Sequence, residues 1–154
     1  MKALAFDLGD TLVEYEGLAP SWEAHYPEAL ARLAALLNVQ PTPAALQASG
    51  SVLRRYNTRL TPRETEGSFA EILNELLRCF GVAQAPDECH CPEAFFSVFR
   101  NTLRCFPDVI PLLQRVRAQA QKTGVFTDVP YGMPREFVMQ GQWKRAAESR
   151  TRAH

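Results

Sequence analysis

An acid near the start of the chain stands where open α/β proteins do their chemistry. Asp7 sits near the end of an apolar run, Lys2-Ala-Leu-Ala-Phe-Asp-Leu8, which reads as a short strand buried on both faces. Gly9-Asp10-Thr11 supplies turn chemistry after it, and a glycine there lets the backbone come close to a ligand. Open α/β sheets bind ligands beyond the carboxyl ends of their strands. A carboxylate at such an end can serve as a nucleophile, a metal ligand, or both. A second strand is expected at Thr123–Thr127, again ending in polar residues, Thr127 and Asp128. The Thr127 hydroxyl and nearby backbone N–H groups are donors suited to an anion such as phosphate. Asp128 reads equally as a turn residue, since an acid beside phosphate is unfavourable unless it helps to hold Mg²⁺.

Other reactive groups are weaker candidates. Cys89-His90-Cys91 has metal-ligating types, but zinc sites pair such a motif with two further ligands well apart in sequence. Only Cys79 and Cys105 could complete it, and both are expected on apolar helix faces, so plain thiols are the better reading. Phe95, Phe96 and Phe99 could line a pocket, yet aromatics at helical spacing usually form core. His25 and His154 have no visible partner and are read as solvated. The chain carries no G-x-S-x-G, no phosphate-binding P-loop, no internal repeat and no basic-aromatic surface.

The elements that must position Asp7 and Thr127 are mostly helical. Trp22, Tyr26, Leu30, Leu33 and Leu37 keep a helical spacing, with Pro27 marking the regular start. Thr42-Pro43 opens a second helix, with Leu46, Leu53, Tyr56 and Leu60 on one face. A third carries Phe69, Ile72, Leu73, Leu76 and Phe80 and stops at Gly81. Pro92 opens a fourth, with Phe95, Phe96, Phe99 and Leu103 as its stripe. A fifth, from Asp108 to Ala120, leads into the second strand as a βα crossover. Val129-Pro-Tyr-Gly-Met-Pro134 reads as loop, and residues 141–154 as a basic polar tail with almost nothing apolar after Trp143. The expected class is α/β, two strands flanking a long helical insert. An all-helical bundle with two apolar end segments is the alternative.

Composition sets the outer bounds. The chain has 154 residues, 46% of them apolar, with 17 basic and 17 acidic side chains in balance. That suits one domain, or one core carrying an insert. Charge neutrality gives no electrostatic footprint for nucleic acid or an anionic membrane surface. No apolar run approaches the roughly 20 residues of a membrane span. Without a signal peptide, a cytoplasmic location with reduced thiols is expected.

Phe6-Asp7-Leu8-Gly9-Asp10-Thr11-Leu12-Val13 resembles the first motif of the haloacid dehalogenase (HAD) superfamily. Phe106-Pro-Asp-Val-Ile-Pro-Leu-Leu and Thr123-Gly-Val-Phe-Thr-Asp128 are similar to the helix and strand leading to its second motif. The likeness covers about residues 1–138. It implies a partial Rossmann-like core from residues 1–13 and 106–140, with a helical cap from 14–105 inserted after the first strand. It further implies Asp7 as the nucleophile forming an aspartyl-phosphate, and a Mg²⁺ ligated by Asp7 and the Gly9 carbonyl. Thr127 would bond the phosphoryl oxygens. The family's phosphatases carry a second, acid/base aspartate two places after the nucleophile. Here that place is Gly9, and the acid stands one residue later, at Asp10, the candidate substitute.

The family's third and fourth motifs find no match. Past Thr127 the only lysine is Lys144, in the tail, and past Asp128 the only acids are Glu136 and Glu148. The expectation is therefore a HAD-like chain lacking its last third. By family it would be a Mg²⁺-dependent phosphatase acting on a small phosphorylated metabolite. The alternatives are an inactive remnant serving as a binding module, and a dehalogenase-like hydrolase. An incomplete core would favour a homodimer, because exposed apolar surface seeks cover.

Overall fold

Helix signals in the sequence translate directly into structure. The computed structural model describes residues 3–15, 22–84, 90–100, 103–119, 122–127 and 130–139. Its elements in chain order are β1 (Ala3–Phe6), β2 (Val13–Tyr15), a 3-10 turn (Trp22–His25), α1 (Tyr26–Leu36), α2 (Pro43–Tyr56), α3 (Phe69–Phe80), α4 (His90–Arg100), β3 (Leu103–Cys105), α5 (Val109–Ala118), β4 (Lys122–Val125), a 3-10 turn (Pro130–Gly132) and α6 (Arg135–Met139). The fold is mixed α/β. None of the described helices is long and apolar enough to cross a membrane.

The chain divides into two compact units. One comprises Leu18–Asn101 and Val129–Arg135, the other Met1–Gly17, Thr102–Asp128 and Glu136–His154. In the helical unit, Thr42 caps α2 by accepting a hydrogen bond from the Ala45 N–H at 3.2 Å, as its sequence demands. Ser68 caps α3 with a reciprocal bond to Glu71, and α3 ends on left-handed Gly81. Both devices satisfy backbone groups that a helix end leaves open. Asn38, also left-handed, closes α1 in the same manner, with the Val39 N–H reaching the Ala34 carbonyl. The buried faces meet in an aromatic core. Phe95, Phe96 and Phe99 are fully buried, and Phe69 lies 5.3 Å from Phe95 between ring centroids. These phenylalanines are core.

Several sequence expectations shift. Leu46 on α2 is 39% exposed, and Leu60, expected on the same helix, lies beyond its end at Tyr56 and is 47% exposed. The helical path of α1 begins earlier than Pro27, through the 3-10 turn at Trp22–His25. Pro92 lies inside the first turn of α4 rather than at its opening. His25 is half-buried with its ring edge-on to Phe99, 6.2 Å away, and is not a solvated side chain. The loop expected at 129–134 carries the second 3-10 turn, and that segment belongs to the helical unit rather than to the α/β core.

The α/β unit holds two small sheets. β1 pairs with β4 in parallel, Ala3 with Lys122 through Phe6 with Val125. β2 pairs with β3 antiparallel, Val13 with Cys105 through Tyr15 with Leu103. This second sheet was not expected. It removes Leu103 from the α4 stripe and Cys105 from a helix face, because both belong to β3. It also moves the edges of the helical unit to Leu18 and Asn101 in place of 14 and 105, since the flanking residues pair with each other as strands. β1 and β4 are each shorter than the sequence suggests. They are also largely exposed rather than buried on both faces, because each has a single strand neighbour among the described residues. A small core lies beside them. Leu8, Leu12, Val13 and Val109 are buried, with Phe6, Cys105, Phe106 and Leu113 packed against them. Cys89, Asp128, His154 and the tail at 141–154 lie outside the described residues.

Candidate functional site

The turn after β1 is built around one carbonyl. Leu8 C=O accepts hydrogen bonds from the N–H groups of Thr11, Leu12 and Val13, at 3.4, 2.9 and 3.0 Å. The Asp10 N–H returns to the Val13 carbonyl at 2.8 Å. Leu8 and Leu12 are buried beneath this turn, so apolar burial fixes a loop whose polar residues remain outside. Asp7 is exposed, and its Oδ2 accepts a hydrogen bond from the Thr11 hydroxyl at 3.2 Å. Thr11, expected only as part of the turn, is thereby tied to the candidate nucleophile. Its spacing of four from Asp7 across a Gly-Asp turn is the signal that was available.

Asp10 sits at φ 57, in the left-handed region. Aspartate tolerates that conformation better than most residues, and here it turns the Asp10 N–H toward Val13. Gly9 does not have a left-handed φ, and a Cβ built on it meets nothing within 4 Å. The backbone therefore does not require glycine at position 9. Its openness is on the side of the turn, where a larger side chain would fit.

The parallel pairing brings the second candidate alongside. The Phe126 N–H donates to the Phe6 carbonyl at 2.9 Å, which continues the ladder past β4. Asp7 leaves β1 one residue after Phe6, and Thr127 leaves β4 two residues after Val125, so both depart from the carboxyl end of adjacent strands. Thr127 is half-buried and follows the strand instead of ending it. Asp7, Gly9, Asp10 and Thr127 thus share one end of one small sheet.

A hard cation such as Mg²⁺ is commonly held by one or two carboxylates, with waters and substrate phosphate completing six ligands. The exposed Asp7 carboxylate and the Gly9 carbonyl fit that partial role. No group of three or more His, Cys, Asp or Glu suited to a metal occurs among the described residues. Cys79, Cys91 and Cys105 are free thiols, and burial pushes the Cys105 thiol upward, away from reactivity.

A second polar constellation, invisible in the sequence, lies in the helical unit. The Tyr26 and Tyr131 hydroxyls share a buried hydrogen bond at 2.5 Å. Asn57 Nδ2 donates to the Tyr26 hydroxyl at 3.1 Å, and the Asn57 Oδ1 accepts the Arg59 N–H at 3.0 Å. Burial raises both tyrosines above their ordinary range. Tyr131 has φ 59 and ψ 26, a costly conformation for a bulky side chain. Gly132 follows at φ +60, where a Cβ would stand 2.5 Å from the Phe69 nitrogen. Aromatic packing on Trp22, Tyr26 and Phe95 holds the strained pair in place. Every hydroxyl in it is occupied by another protein group, so it reads as a structural lock.

No protein-family model matches the chain, and no curated protein matches it.

Proposed function

We propose that the chain carries a HAD-like phosphoryl-transfer site, with Asp7 as nucleophile, acting on a small phosphorylated metabolite. The observation that supports it most is the departure of Asp7 and Thr127 from the carboxyl end of two parallel strands. Nucleophile and anion donor are thereby offered to one ligand.

In this reading an Asp7 oxygen attacks phosphorus in line as the ester P–O bond breaks, and the leaving oxygen takes up a proton. Water then attacks the aspartyl-phosphate, the bond from phosphorus to Asp7 breaks, and inorganic phosphate leaves with the carboxylate restored. The Thr11 hydroxyl holds the Asp7 carboxylate in one orientation through Oδ2, a positioning role. Thr127 donates to the transferring phosphoryl oxygens. Asp10, exposed on the same turn, is the acid offered in place of an acid at position 9. When bound at Asp7 and the Gly9 carbonyl, Mg²⁺ supplies charge neutralisation for the transfer.

A second reading is favoured by position 9. Glycine stands there although the backbone and the open space would accept an acid, which suits a binding module that has lost its acid/base group. Hydrolysis of an aryl phosphate by the full chain, with and without Mg²⁺ and beside Asp7→Asn, decides between them. Turnover that needs Mg²⁺ and falls by about 10²-fold or more in Asp7→Asn is expected of the enzyme. Equal background in all samples overturns it in favour of the binding module.

A further inference from the structure

The chain leaves β4 with little burial of its own to hold it. Lys122, Thr123, Gly124 and Val125 are all exposed, and Phe126 is 82% exposed. Among the described residues β1 is the one strand that pairs with β4. Past Val125 the ladder continues through a single bond, from the Phe126 N–H to the Phe6 carbonyl at 2.9 Å. Strand ends buried this little open readily. Thr127 stands one residue beyond that bond.

A firm anchor follows four residues later. Val129–Arg135 belongs to the helical unit, and Tyr131 is buried there. Its hydroxyl meets that of Tyr26, on α1, at 2.5 Å. Its ring lies 6.3 Å from Phe95, on α4, and 5.6 Å from Trp22, between centroids. Gly132 sits against the start of α3, so close that a Cβ would stand 2.5 Å from the Phe69 nitrogen. Tyr131 has left-handed backbone angles, which persist only where the surroundings over-determine them. Here three helices do so. The four Cα steps from Thr127 to Tyr131 span at most about 14 Å. A tether that short, with its far end fixed, leaves its near end few conformations.

We propose that Tyr131 is a positioning residue for Thr127: seated in the helical unit, it anchors the short segment that leaves β4 and so holds Thr127 at the strand end. The use of Thr127 as a phosphoryl donor rests on the phosphoryl-transfer reading, whereas its anchoring does not. Tyr131 acts through the chain and not on the substrate.

Tyr131→Ala would empty the middle of the helical core, so the tether is loosened instead. Insertion of Gly-Ser-Gly-Ser between positions 128 and 129 of the full chain leaves β4 and the Tyr131 segment unchanged in sequence. Helical circular dichroism and the melting temperature are expected to stay as in wild type. Backbone amide exchange, read residue by residue by NMR, is expected to accelerate at least about tenfold at Phe126. The amides of Thr11, Leu12 and Val13, which bond to Leu8 within their own turn, are expected to hold their rates. With an aryl phosphate, kcat is expected to fall about tenfold or more at nearly constant KM, because the displaced Thr127 hydroxyl serves the transferring oxygens. Phe126 exchange equal to wild type overturns the inference, whatever the turnover. So does equal acceleration at Phe126 and at Thr11–Val13, which would mean that the whole α/β unit loosens. So does an unchanged kcat beside faster Phe126 exchange. A wild-type chain without Mg²⁺-dependent turnover overturns the phosphoryl-transfer reading alone, and the exchange rates then decide the anchoring.

Discussion

The helical unit and the α/β unit solve burial in opposite ways. The first encloses fully buried phenylalanines and satisfies its one buried tyrosine pair with hydrogen bonds. The second buries a handful of residues beside two strands that remain largely exposed. Parallel strands are ordinarily covered on both faces, and β1 and β4 depart from that rule. Rigidity and candidate chemistry thus reside in different parts of the chain. The contrast teaches that a site can be carried by a thin scaffold when only a turn and two strand ends must be held.

That comparison can be broken most sharply in the aromatic core. Phe95→Ala is expected to cost about 3–5 kcal/mol in urea unfolding followed by circular dichroism. Leu4→Ala, at a 39% exposed strand position, is expected to cost under about 1 kcal/mol. Equal losses would mean that β1 is buried in the working protein.

Two glycines sharpen it next. In Gly132→Ala the new Cβ would stand 2.5 Å from the Phe69 nitrogen and 2.6 Å from the Gly67 carbonyl. Both are backbone atoms that cannot swing away, and φ is left-handed as well. A loss of about 2–4 kcal/mol is expected from overpacking and αL strain together. Gly9→Ala meets open space and is expected to stay within about 0.5 kcal/mol of wild type. Thermal melts of the two variants side by side make the measurement.

The smallest effect is a pH dependence confined to the helical unit. Tyr26 and Tyr131 are raised in the folded state, chiefly by burial, while in the unfolded chain they titrate near 10. Their contribution to stability is therefore complete below about pH 10 and is lost as pH rises above it, as the unfolded chain releases protons first. Tyr131→Phe should make the alkaline limb of the stability curve shallower, as read by urea unfolding at successive alkaline pH values. An unchanged limb would show that the buried pair is not what alkali attacks.

Local chemistry carried most of what the sequence revealed. Thr42-Pro43 and Gly81 mark helix ends because capping acts within a few residues, while the Ser68–Glu71 capping box shows only in the structure. Strand extents were less legible. The apolar runs at 2–8 and 123–127 look continuous, yet the strands end at Phe6 and Val125, with one further bond from the Phe126 N–H to the Phe6 carbonyl. β2 and β3 escaped notice altogether. Their three-residue pairing joins positions about ninety apart, and nothing in either segment announces the other. At the candidate site, Asp7, Gly9, Asp10 and Thr127 were legible as types in a pattern. The Thr11 bond to Asp7 and the left-handed Asp10 were not, because turn geometry decided them.

By itself, then, the sequence determined the helices, their caps, the aromatic stripe and the acid that follows the first strand. Each follows from residue types interacting over one or two turns of chain. Only the tertiary structure decided that Phe95 is core while Phe126 is surface, and that Tyr26, Asn57 and Tyr131 meet. It alone set Thr127 beside the strand that leads to Asp7. Those outcomes depend on which distant segments share a neighbour, and burial and hydrogen-bond satisfaction are settled only when those segments come together.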